Sequence, residues 1–308
     1  MNFKNIEFIC PICKTGKVNI EGDIAHCINI KCKSQFYVLN GKPVLIDFNK
    51  SVIRKENFIE KLGKSEVPRI NDKFITKIKQ ILFGFGSVTK KNLEYIEDHF
   101  QNKNDLKILI IGGGTIGSGM NNFYKVFKKN ILAFDIYVNY NIHFIADAHN
   151  IPVKDKSFDF IIIQAVLEHV LNPYKVVDEC RRLLKVDGLI YAETPFMQQV
   201  HEGAYDFMRF TESGHRYLFK NFSILKSGPV AGVGTSLLWS ISYFFGGLFR
   251  SIMVKNIVRV FFFWLRYFDF LVPDSHNIDG ASGVYFIGKK SEVVLSEKEI
   301  ITYYNGSQ

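Results

Sequence analysis

The sequence predicts an α/β protein on a doubly wound, mostly parallel sheet. A small β-rich cysteine unit precedes it, and an apolar helical insertion interrupts it before the last strand. Three observations carry this reading. Four of the five cysteines fall within the first 32 residues. From Leu106 onward, strand-length apolar runs alternate with helix-length segments, the pattern of a parallel sheet. Residues 227–249 contain no charge, and the aromatic stretch "IVRVFFFWLRYFDFLV" follows soon after.

The chain has 308 residues, 47% of them hydrophobic and 22% charged, enough for one large or two modest domains and unlike a disordered chain. Its formal charge of +9 is spread along the sequence rather than gathered in a basic arm. The first residues, "MNFKNIEFICPIC", lack an apolar run of leader length, so a cytoplasmic location is expected.

Residues 1–48 form the first unit. "CPIC" (Cys10, Cys13) and "CINIKC" (Cys27, Cys32) are two knuckles separated by a β-like stretch. Clustered cysteines in a reducing compartment argue for metal rather than disulfides, and four thiolates suit the tetrahedral preference of a structural Zn²⁺. Asn40-Gly41 then reads as a tight hairpin turn between two apolar strands. This ribbon with its "NGKPVLID" hairpin resembles the short zinc-ribbon domain that precedes several methyltransferases. Residues 49–104 read as a lysine-rich helical linker, with Ser87 or Thr89 as N-cap of "SVTKKNLEYIEDHF".

The sheet domain is expected over 105–290, with 291–308 as a tail. "KILIIGGG" reads as its first strand, "NILAFDI" as the second, "NIHFIAD" as the third, "SFDFIIIQAV" as the fourth and "GLIYAETPF" as the fifth. Gly112, Gly114 and Gly117 spell G-x-G-x-x-G after the first strand, a turn that brings backbone close to a ligand. Asp135, 18 residues beyond Gly117, can accept from both ribose hydroxyls. These features alone fit a dinucleotide or S-adenosylmethionine.

The segment "FIADAHNIPVKDKSFDFIIIQAVLEHVLNPYKVVDECRRLLKVDGLIYAETP" settles the choice by similarity. Over roughly 106–226 the chain resembles the class I S-adenosylmethionine-dependent methyltransferases, the group that includes quinone-biosynthesis enzymes. The resemblance implies a Rossmann-like sheet of seven strands. It also implies that Gly112 and Gly114 face the methionine end of the donor, with Gly117 completing the turn. Asp135 then takes the ribose, Asp147 and Ala148 the adenine, and Gln164 lines the pocket. Two departures stand out: Ile110 occupies the place of the family's usual acidic residue, and its third glycine falls at Ile116.

After the fifth strand, "ETPFMQQVHEGAYDFMRFTESGHRYLF" is dense in polar and aromatic residues where such a fold exposes its active-site loop. Glu193 and His215 belong to that set. His201 is the expected general base, His169 the second candidate, and Asp206 with Arg209 are expected to position an anionic or polyhydroxyl acceptor. This stretch is also similar to methyltransferases encoded among bacterial sugar and cell-envelope polysaccharide genes. The similarity implies O-methylation of a glycan, glycolipid or lipid-linked precursor.

The insertion, about 235–280, places Lys255, Arg259 and Arg266 on one expected helical face with aromatic residues on the rest. Peripheral contact with the inner face of a membrane, a homodimer through 235–272, or burial against its own domain would cover it. An rRNA or tRNA methyltransferase using the ribbon for RNA is the rival reading, and a non-catalytic donor-binding module is the third. The ribbon lacks interleaved basic and aromatic residues, which makes nucleic acid the weaker partner.

Overall fold

Asn40 and Gly41 both take positive φ, 52° and 71°, so the chain reverses in two residues and the flanking strands pair with matching twist. That turn joins β3 (Gln35–Leu39) to β4 (Lys42–Pro43). With β1 (Val18–Glu21) and β2 (Ile24–Cys27) they form a four-stranded antiparallel sheet in sequence order. The structure, a computed structural model, describes residues 6–61, 63, 86–101, 103 and 105–308. Much of the expected helical linker therefore lies outside the described residues. Within them, helices run Lys55–Glu60 and Ser87–Phe100. The residue at the N-cap position of the second helix is Gly86, not Ser87 or Thr89; Thr89 is buried and turned to the sheet.

β5 (Ile108–Ile111) is buried along its whole length, as an all-apolar strand must be when helices cover both faces. It pairs in parallel with β6 (Ile131–Asp135) and β8 (Phe158–Gln164); β6 also pairs with β7 (Phe144–Ile145), and β8 with β9 (Leu184–Pro195). The third strand is only two residues long, shorter than "NIHFIAD" suggests. β10 (Phe222–Ala231) and β11 (Gly283–Lys290) complete seven strands in the order β10-β11-β9-β8-β5-β6-β7. β11 runs antiparallel to both its neighbours. The parallel strands thus all end on one edge, where an open α/β sheet holds its ligand.

The cysteine unit docks on the β7 edge of this sheet. Ile9 N–H donates to Pro152 O at 3.0 Å and Leu45 N–H to Ile145 O at 2.8 Å. Phe8 meets Phe144 edge-on at 5.1 Å between ring centroids. A short exposed edge strand is thereby covered.

Between β10 and β11 the insertion folds as helices Val233–Leu248 and Ile252–Phe261, a 3₁₀ segment Phe263–Phe270 and a helix Asp274–Gly280. The expected single basic face is not formed, because the helix breaks at Phe262 and leaves Arg266 on the 3₁₀ segment. Lys255 lies over the Tyr243 ring at 4.5 Å and Arg259 over Trp239 at 4.3 Å. The cations are turned onto the preceding helix, where aromatic faces attract them.

Candidate active site

The strand ends open into one cleft of about 530 Å³. At its donor end the glycine turn leaves no room for side chains. A Cβ on Gly112 would sit 2.3 Å from Val166 Cγ2, one on Gly114 2.5 Å from Asp135 Oδ2, and one on Gly117 1.7 Å from Gln164 Oε1. Gly112 also takes φ 73°, which side chains disfavour. Asp135, at the end of β6, accepts from Gly114 N at 2.9 Å and Ile136 N at 2.7 Å, so its carboxylate is fixed beside the turn.

Asp147 follows β7 and is nearly buried. It accepts from His149 N at 2.9 Å, from His149 Nδ1 at 2.7 Å and from Ser51 Oγ at 2.5 Å. Burial opposes ionisation, but these bonds hold its carboxyl below the ordinary range. Ala148 lies next to it in the cleft wall. Gln164, the last residue of β8, donates to Glu193 at 2.7 Å and to Ser118 O at 3.3 Å. Gly112, Gly117, Asp135, Asp147, Ala148 and Gln164 all line the cleft, and Gly114 backs it through Asp135.

Glu193 is a buried carboxyl on the cleft floor with three donors. Thr89 Oγ1 donates to it at 2.6 Å, and Tyr191 and Gln164 also bond it. Burial raises its pKa against those bonds. The Thr89 bond ties the helix Ser87–Phe100 to the sheet, and the three donors together fix the Glu193 carboxyl in place. Ile110, in the place of the family's usual acid, is buried in the core beneath.

The opposite end of the cleft is built by the loop after β8 and the loop after β9. Glu168 and His169 lie in a single 3₁₀ turn, Leu167–His169. Glu168 is fully buried, neither of its carboxylate oxygens has a hydrogen-bond partner, and burial pushes its pKa up to about 8. His169 Nε2 and His201 Nε2 lie 3.6 and 3.8 Å from Glu168 Oε1. His169 Nδ1 is 2.8 Å from Tyr205 O, which fixes the Nδ1–H tautomer. His201 Nδ1 faces Asp206 Oδ2 at 3.3 Å, and its backbone N–H donates to the same oxygen at 2.8 Å.

Asp206 and Arg209 stand behind His201 rather than in the cleft wall. Arg209 binds Asp206 bidentately and donates to Gln198 O at 2.9 Å and Met208 O at 2.7 Å. The pair pins the loop, and although burial opposes it, the guanidinium holds the Asp206 carboxyl far below its usual range. Neither residue lines the cleft; Asp206 holds His201, and Arg209 holds Asp206. His215 is placed in the core, 1% exposed among Phe210, Phe219 and Phe286, and takes no part. Glu168, which sequence patterning does not single out, is the group at the centre.

Outside the cleft, all four N-terminal thiols gather at one point. Cys10 Sγ is 3.8 Å from Cys32 Sγ and Cys13 Sγ 3.7 Å from Cys27 Sγ, with no disulfide. Ligands about 2.3 Å from a tetrahedral zinc lie roughly that far apart. Gly16 N–H donates to Cys13 Sγ at 3.3 Å, and a Cβ on Gly16 would meet Cys27 Sγ at 2.4 Å. The spacing fits Zn²⁺. His26 stands outside the group, 3.9 Å from Glu21.

Comparison with known proteins places this geometry. Residues 115–192, about a quarter of the chain, match the family described as a methyltransferase domain. An uncharacterized protein of Methanocaldococcus jannaschii is 35% identical over 97 residues, 29% of this chain and 40% of its own. The ubiquinone biosynthesis O-methyltransferase of Glaesserella parasuis is 46% identical over 39 residues, 13% of this chain and 16% of that protein. The chain thus spans well under two thirds of the length of these curated relatives. Among solved structures, phosphoethanolamine N-methyltransferase 2 of Haemonchus contortus, in complex with S-adenosyl-L-methionine, is 13% identical. That match has a TM-score of 0.46 over 90% of this chain and 70% of that one. On the family match and the sheet it falls in, the chain carries a methyltransferase domain of the class I, S-adenosylmethionine-dependent type.

Proposed function

We propose that the protein methylates a hydroxyl of a glycan, glycolipid or other cell-envelope precursor, working at the cytoplasmic face of a membrane with S-adenosylmethionine as donor and a structural zinc in its ribbon. One observation supports this most. A single cleft carries the glycine turn with Asp135 and Asp147 at one end and Glu168, His169 and His201 at the other. When bound, S-adenosylmethionine supplies an electrophilic methyl on a sulfonium and leaves as S-adenosylhomocysteine. The chain has to align the acceptor with that methyl and ease loss of the hydroxyl proton. Gly112 and Gly114 would let the donor approach the backbone closely, Asp135 would hold the ribose hydroxyls, and Asp147 with Ala148 would hold the adenine. Asp206 and Arg209 hold the loop that sets His201 against Glu168. The acceptor would enter from the side of Trp239, which with Thr235 brings the insertion into the cleft wall.

Calorimetric titration with S-adenosylmethionine and S-adenosylhomocysteine, with NAD as control, tests the reading. Micromolar binding of the first two, weakened at least tenfold in Asp135→Ala, is expected. Binding of NAD alone, or of none of the three, overturns it.

A further inference from the structure

We infer that Glu168, His169 and His201 form a binding site for a divalent metal ion of the manganese-to-zinc series, placed in the acceptor end of the cleft. Two imidazoles and one carboxylate bring one ligand atom each within 4.8 Å of one another. Around one ion, nitrogen and oxygen ligands at about 2.0–2.2 Å lie roughly 3–4 Å apart. The observed 3.6 and 3.8 Å separations from Glu168 Oε1 need only a small contraction.

The surroundings argue for coordination over a hydrogen-bonded cluster. Glu168 is fully buried with no hydrogen bond to either carboxylate oxygen, an arrangement that is unfavourable unless something positive meets it. Each histidine has its Nδ1 occupied from behind, His169 by Tyr205 O and His201 by Asp206 Oδ2. That leaves both Nε2 lone pairs aimed at Glu168. Metal-binding histidines are oriented in this way, by a carbonyl or carboxylate on the far nitrogen. Two histidines and a carboxylate leave positions open on the ion, and all three residues line the cleft. His201 is then a ligand rather than a base. An acceptor hydroxyl on an open position would be acidified by the ion and lose its proton to water at the cleft mouth. That role rests on the methyltransferase reading; the binding itself does not.

The test uses the full chain with its thiolates filled by zinc, which thiolates hold in preference to manganese. Mn²⁺ is titrated in and free ion is read by electron paramagnetic resonance. One Mn²⁺ per chain is expected, weakened at least tenfold in both Glu168→Gln and His201→Ala, and 10–100-fold in Asp206→Asn, which removes the carboxylate behind His201 together with its ion pair to Arg209. Co²⁺ on the same sample should give d–d absorption without added thiolate charge-transfer bands. No binding at millimolar Mn²⁺ and Co²⁺, or equal binding by the three folded variants, overturns the site. Calorimetry with S-adenosylmethionine on the same samples separates the two readings. Donor binding without metal sinks only the metal site, and metal without donor sinks only the methyltransferase.

Discussion

His215 is packed by Phe210, Phe219 and Phe286, and its Nε2 has no hydrogen-bond partner. Burial alone lowers its pKa from 6.5 to about 3. The unfolded chain therefore takes up a proton between those values while the folded chain does not, and stability falls as pH drops through that window by up to about 1.4 kcal/mol per unit. Replacing it by leucine removes the titration. Urea unfolding at pH 7, 6 and 5 should show His215→Leu gaining on wild type by about 2 kcal/mol between pH 7 and 5. Parallel curves would show that His215 is protonated in the native state. In the sequence His215 belongs to the same polar stretch as His201, the expected base. Their difference is tertiary: one is folded into the core and the other held out by Asp206. Glu168 was illegible for the converse reason. Beside a helix-like turn it reads as a solvated acid. Its burial comes from the distant loop whose Phe207 and Met208 N–H groups donate to its backbone carbonyl. The glycines and Asp135 were legible because their role is set within one strand–turn unit.

At the scale of elements, the ribbon docks beside the donor pocket, and the linker residues that leave it, Ser51 to Ile53, enter the pocket wall. Ser51 Oγ holds Asp147, Asn150 Nδ2 donates to Pro11 O at 2.9 Å, and Val52 and Ile53 line the cleft. Loosening the ribbon should thus loosen the adenine end. Ser51→Ala removes one bond to a carboxylate, about 1 kcal/mol, so S-adenosylmethionine should bind about fivefold more weakly. Stripping zinc with a chelator unfastens the thiolates and should cost more than tenfold in affinity. Calorimetry on the zinc-loaded, stripped and reloaded chain measures this, and unchanged donor affinity after stripping would separate ribbon from pocket. The knuckles and the Asn40-Gly41 turn were readable, since spacing and turn chemistry are local. The docking was not, because the Asn150–Pro11 bond joins residues 139 apart in sequence. Likewise the break at Phe262 leaves no mark in a run that is apolar throughout.

At the scale of the whole molecule, the insertion exposes many large apolar side chains. The helix Ile252–Phe261 has no buried residue, and Ile252, Met253, Phe261 and Leu271 are each about 70% exposed or more. Exposed apolar residues gathered on one insertion are the kind of surface that a membrane or a second copy of the chain would cover, as we propose. Among the described residues no helix is long and apolar enough to cross a membrane. At 1.5 Å per residue the two longer insertion helices reach about 24 and 15 Å, short of a hydrocarbon core of about 30 Å. Lying on the surface is the geometry left for a membrane contact, with Arg250 and the overall charge of +9 favouring anionic headgroups. The same insertion carries Trp239 into the cleft wall, so a lipid-held acceptor would be delivered where the histidines wait. Met253→Glu with Phe261→Glu places two charges on the outer face and leaves the cleft untouched. The wild-type chain should float with phosphatidylglycerol-rich vesicles, and the double variant should stay behind while binding S-adenosylmethionine equally well. If the wild type ignores vesicles and sediments as a dimer that the double variant splits, the face joins two copies of the chain, and the acceptor has to reach the cleft from solution.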